Sequence, residues 1–221
     1  MTPSRFVAAL AEMRLPSVFN PYTDCCEIHD RPDAARLRKK NLQAFLEAAL
    51  ASKVDTIWVA RDLGYRGGRR TGVPLTDDVH LEVVGRLFSG IELTRATRGP
   101  VVAERTAAVV WKVLSRIGQP VVLWNVFPFH PHEPDDSLSN RCHTTAERQI
   151  TLPLLQRLIA MFQPRRLVAI GRDAQTALRD LEIPVTTVRH PSYGGQEEFI
   201  ASLYELYGVQ EKAEPNSTLN L

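Results

Sequence analysis

Four short apolar runs, each followed by a segment with helical spacing, constrain this chain more than any other feature. They are "VDTIWVA" (54–60), "PVVLWNV" (120–126), "RLVAIG" (166–171) and "PVTTVR" (184–189). Runs without polar alternation read as strands covered on both faces, and strand–helix alternation joins parallel neighbours. The expected class is α/β, with a four-stranded parallel sheet. Between the runs, "AARLRKKNLQAFLEAALAS" (34–52) has helical spacing with Asp33 as its N-cap, and "DDVHLEVVGRLF" (77–88) starts with acids in its first turn. A third helix is expected to stop at Gly118, and Thr144 with Glu147 forms a T-x-x-E capping box before a long helix ending near Phe162. Residues 172–181 and 196–208 complete the set, and the N-terminal "MTPSRFVAALAEMRLPS" reads as an amphipathic helix rather than a signal peptide.

Composition narrows the classes further. Apolar residues make up 44% of the 221, yet no apolar run approaches the roughly 18 residues that cross a bilayer. A soluble, cytoplasmic protein with no membrane partner is expected. The three cysteines, Cys25, Cys26 and Cys142, are odd in number and lack CxxC spacing, which fits a reducing compartment and core burial. A single domain over 1–210 is expected, with a disordered tail at 211–221. Net charge is only +2, but "RDLGYRGGRRTG" (61–72) gathers four arginines, one acid and four glycines straight after the first strand. Such a basic loop suits a phosphate-bearing partner.

In parallel α/β sheets, ligands bind beyond the carboxyl ends of the strands. That edge should gather Asp62, Asn125, the pair His130/His132, and His190. Each has a plain structural reading too. Asp62 can cap a turn or pair with a loop arginine, Asn125 can tie down backbone, and His190 before Pro191 can be a turn residue. The two histidines of "FHPH" lack a third ligand, so no metal site is assigned.

Taken together, "YRGGRRTG", "LWNVFPFHP" and "HPS", in this order and at strand ends, resemble the motifs of the uracil-DNA glycosylase superfamily. The resemblance spans roughly residues 50–208. It implies a three-layer α/β/α sandwich with a central four-stranded parallel sheet, an uncharged pocket for a flipped base, and no cofactor. By position, Asp62 falls on the water-activating aspartate, Asn125 on the asparagine that reads uracil, and His190 on the histidine that stabilises the departing base. The chain departs from the pattern at Ala60, Arg61 and Leu63, and Leu75 stands where the family places a phenylalanine that stacks on the base. Tyr65, Phe127 or Phe129 is then expected to supply stacking. Tyr193 matches the residue inserted into the vacated duplex space, while Ser192, Gly194, Arg66, Arg69 and Arg70 are expected to hold phosphates.

The chemistry suits those residue types. Breaking an N-glycosidic bond leaves positive charge on the sugar and negative charge on the base, so an anionic Asp62 and a donor at His190 are matched to it. An asparagine amide offers an acceptor to uracil N3–H and a donor to O4, and cytosine presents the opposite polarity. The expected partner is uracil-containing DNA, single- or double-stranded, and the expected form a monomer. Alternative readings are a non-catalytic binder of uracil or abasic DNA, a glycosylase for another deaminated base such as hypoxanthine, and an unrelated α/β enzyme acting on a nucleotide or phosphoester.

Overall fold

A computed structural model describes residues 1–88 and 90–210; the tail expected at 211–221 lies outside the described residues. The four runs become β2 (Thr56–Asp62), β3 (Val122–Phe127), β5 (Arg166–Ile170) and β6 (Val185–Val188), all parallel, in the order β3-β2-β5-β6. Two residues on each of β1 (Val18–Phe19) and β4 (His130–Pro131) form a small antiparallel pair that the sequence did not signal. The helices are α1 (Pro3–Glu12), α2 (Ala34–Ala51), α3 (Gly68–Thr71), α4 (Leu81–Leu87), α5 (Arg105–Ile117), α6 (Thr145–Phe162), α7 (Arg172–Leu178) and α8 (Gln196–Tyr207). Together they give the expected α/β fold with helices covering the sheet.

Strand β2 occupies the sheet interior because it is apolar on both faces, with Thr56 to Ala60 all buried. In its register Ala60 pairs with Asn125 and Asp62 with Phe127, so the chemistry-bearing ends of two strands lie side by side. Several local signals were read as they stand. Thr144 and Glu147 form a reciprocal capping box, and α5 ends on Gly118 in the left-handed region. Others were not. Asp33 precedes α2 but makes no capping bond, because its carboxylate is drawn to Arg31 and Arg36. Helix α4 begins four residues later than expected, since the Asp77 side chain accepts from the Val79 and His80 amides and holds a turn there. The cysteines are not core residues: Cys25 and Cys142 are exposed, Cys26 is half-buried, and all three are free.

The Gly-rich loop is tied to the body by the buried guanidinium of Arg38, with Asn41 donating to the Thr71 carbonyl and Tyr22 to that of Gly72. Arg38 of α2 donates to the carbonyls of Arg70 (3.2 Å), Pro21 (3.3 Å) and Asp24 (3.1 Å) and pairs with Asp30. Gly72, at φ 77°, packs so closely on α2 that any side chain would meet the Arg38 backbone. Removing one member of a buried ion pair strands the other, at a cost of about 3–5 kcal/mol. Arg38→Met should therefore lower stability by that order in urea denaturation, and Asp30→Val in the same chain should recover part of the loss. An additive double mutant would show that the pair itself contributes nothing.

Candidate active site

The loops after β2, β5 and β6, with the start of α5 and the turn before α6, enclose a cleft of about 380 Å³ at the carboxyl end of the sheet. Asp62 and Arg61 form its floor, Leu75 and Gly68 one wall, Glu104 and Thr106 the start of α5. His190, Ser192 and Tyr193 lie opposite. Asp62 closes β2 with a side chain only 6% exposed. Its Oδ2 accepts from Arg61 Nε at 2.7 Å, and its Oδ1 accepts from His143 Nδ1. Both oxygens are thus oriented, and each retains lone-pair capacity for water or a developing cation.

His143 was not foreseen. It lies 81 residues beyond Asp62 in a polar loop, and its only local mark is its place one residue before the Thr144 cap. Its ring stacks on Phe127 at 5.5 Å, which fixes its angle toward Asp62. Phe127 is therefore a buried support for His143 rather than a base-stacking surface, and it does not line the cleft.

His190 follows β6 on a loop pressed against Gly171. The Ser192 amide donates to its Nδ1 at 3.2 Å, so Nδ1 is the acceptor and the ring proton sits on Nε2. Burial, reinforced by Arg61, lowers its pKa from the ordinary value, so the neutral donor form prevails near pH 7. Asn125 is fully buried behind the floor, and its Nδ2 donates to the Asp62 carbonyl at 2.9 Å. A carbonyl can only accept, so this bond fixes the amide orientation. Asn125 Oδ1 is left as a buried acceptor without a partner among the described residues.

Leu75 is buried on the cleft wall with φ 54°, a left-handed conformation that a leucine adopts only when its surroundings enforce it. Thr71 Oγ1 donating to the Thr76 carbonyl and Trp111 Nε1 donating to the Leu75 carbonyl supply that enforcement. Tyr193, also left-handed at φ 53°, stands 99% exposed beside Gly194 at φ 76°.

Four expectations change. Arg69 and Arg70 are each 4% exposed and cannot hold phosphates in this structure: Arg69 donates to the Ser137 carbonyl and lies over Phe19, and Arg70 pairs with Asp78. Arg66 is exposed, as expected of a phosphate contact. Tyr65 faces a neighbouring pit and accepts from Arg66 Nε rather than lining the cleft. Nor is the cleft uncharged, since Arg61, Glu104, Arg141 and Asp173 all face it. His130 and His132 do not converge on it: His130 is buried against the Ser139 carbonyl and Arg69, and burial drives its pKa down to about 3.

The family model of the uracil DNA glycosylase superfamily matches residues 66–204. The chain belongs to that superfamily. Its members are DNA glycosylases, hydrolases that cleave N-glycosyl bonds. The crystal structure of wild-type SMUG2 from Pedobacter heparinus aligns with a TM-score of 0.64, covering 94% of this chain and 97% of that chain. At 11% identity this likeness establishes the shared fold. No curated protein matches the chain.

A hydrogen bond to a charged group contributes about 1.5–3 kcal/mol. His143→Phe keeps a ring on Phe127 but removes the donor to Asp62. It should slow base release by roughly 10- to 100-fold at unchanged DNA affinity. A rate within twofold of wild type, measured in single turnover, would remove His143 from the site.

Proposed function

We propose that this chain excises uracil from DNA as a monofunctional glycosylase, the first step of base excision repair. The observation that carries the reading is the pairing, across one cleft, of an oriented carboxylate at Asp62 with a neutral Nε2–H donor at His190. A base inside a duplex must leave the stack before its glycosidic bond can be reached. Tyr193, 99% exposed, then fills the vacated space, and Arg66 with Ser192 and the Gly194 backbone holds the flanking phosphates.

As the C1′–N1 bond lengthens, positive charge gathers on the sugar beside Asp62, and the electron pair moves onto uracil. His190 Nε2–H donates to O2, where that charge concentrates; one such preorganised donor lowers the barrier by about 3–4 kcal/mol. Asp62 then orients water toward C1′ and takes its proton. Asn125 reads the far edge. Its orphaned Oδ1 accepts from N3–H when the base seats deeper than the open cleft, and the second Nδ2 hydrogen meets O4. An unsatisfied buried acceptor costs about 1–3 kcal/mol, so seating the correct base recovers that penalty, whereas cytosine N3, itself an acceptor, does not. Leu75 contributes an apolar wall without aromatic stacking. The protein works as a monomer on DNA in the cytoplasm and needs no cofactor for this chemistry.

Incubation with a uracil-bearing oligonucleotide followed by alkali should give strand breaks, with Asp62→Asn and His190→Ala each slower by at least about 100-fold. Asn125→Asp should gain measurable cytosine release, because a carboxylate accepts from the cytosine amino group. Intact oligonucleotide from the wild-type protein would overturn the reading, and unchanged base selectivity in Asn125→Asp would remove Asn125 as the reader.

A further inference from the structure

Glu104 faces the same cleft and has no part in the steps above. It stands immediately before α5, where its backbone N–H donates to Asp77 at 2.6 Å. Its carboxyl lies flat over Gly64 and Gly67, and a side chain at either glycine would collide with it. Among the described residues no hydrogen bond reaches that carboxyl, in contrast to the doubly bonded Asp62 two residues before Gly64. The neighbouring Asp77 is a fully buried carboxylate that accepts from the Val79 and His80 amides and from His80 Nδ1. Burial first, and the Asp77 charge second, raise the Glu104 pKa to about 7. The other charged groups facing it are Arg61 and Asp62 from β2, Arg141 before α6, and Arg172 with Asp173 from α7, with His190 across the cleft. Arg61 is engaged by Asp62 and Asp173, and Arg141 by Glu147.

Two acids in one cleft, one oriented by two donors and one that keeps its proton to higher pH, is the arrangement that splits glycoside hydrolysis between a base and an acid. We propose that Glu104 is a catalytic general acid that gives its proton to the departing base and so extends excision to deaminated purines, hypoxanthine first. The inference rests on the glycosylase reading. Uracil departs as an anion whose charge collects on O2, where His190 suffices. A purine departs readily only when protonated on its imidazole ring. The Glu104 carboxyl proton moves to N7 as the C1′–N9 bond breaks, and the bonding pair stays with the base, which leaves neutral. Water adds to C1′ and yields its proton to Asp62; the two carboxyls then re-equilibrate with solvent.

Single-turnover release from oligonucleotides carrying hypoxanthine, uracil or 5-fluorouracil, measured between about pH 5 and 9, tests this for wild type and Glu104→Gln. Glu104 carries its proton below its raised pKa, so the wild-type hypoxanthine rate should fall as pH rises beyond about 7. Glu104→Gln should lower that rate on the order of 100-fold and flatten the alkaline limb. The loss should be smaller for uracil and smallest for 5-fluorouracil, the better leaving group. Circular dichroism and affinity for abasic DNA report whether the variant is folded; if it is not, Glu104→Asp must keep the alkaline limb at reduced amplitude. Equal losses for all three bases in a folded variant, or an alkaline limb that survives Glu104→Gln, would overturn the role. Release of uracil without hypoxanthine would overturn it while sparing the glycosylase reading, and release of neither would sink both.

Discussion

The buried guanidinium of Arg38 anchors the Gly-rich loop that supplies one wall of the cleft. It collects three carbonyls from segments far apart in sequence and balances its charge on Asp30, so the Gly-rich loop cannot drift from α2. From there the constraint passes along the loop. Gly72 lies against the Arg38 backbone, and the Thr71 hydroxyl closes onto the Thr76 carbonyl. Leu75 is thereby held in its left-handed conformation against the cleft. Polar satisfaction, added to the core burial of Val73 and Leu75, gives this loop a single shape.

That the pocket is charged changes how its selectivity is built. A neutral pocket discriminates by fit and by amide polarity. Here Asp62, Arg61 and Glu104 share a small, half-closed volume, so the protonation state of one acid alters what the others attract. The orphaned acceptor of Asn125 is pinned behind Asp62, because its Nδ2 bond runs to the Asp62 backbone carbonyl.

Much of the architecture was legible because apolar runs and caps are local signals. The four strands, the Gly118 stop and the Thr144–Glu147 box needed no knowledge of distant partners. That Asp62, Asn125 and His190 lie at or just beyond the carboxyl ends of parallel strands was legible, because that edge follows from the strand–helix alternation. Arg69 and Arg70 were not, because their burial depends on Ser137, Phe19 and Asp78, which only the folded chain brings near. His143 was hidden for the same reason. Phe127 was misread because strand β3 is buried along its whole length, so no alternation marks which ring faces the cleft. Glu104 carries no local mark in the sequence, and only the two glycines opposite it reveal a niche.

Keeping an acid in that niche has a consequence for the fold as a whole. In the unfolded chain Glu104 ionises near 4.5, whereas in the native protein it holds its proton to about 7. Between those values the native state binds the extra proton, so stability declines as pH rises through the window and stays lower above it. The deficit is on the order of 1–3 kcal/mol, a sizeable share of the margin that keeps a domain folded. Homologues that place an uncharged side chain there should tolerate alkaline conditions better. The niche thus trades resilience in base for a carboxyl that keeps its proton to about pH 7.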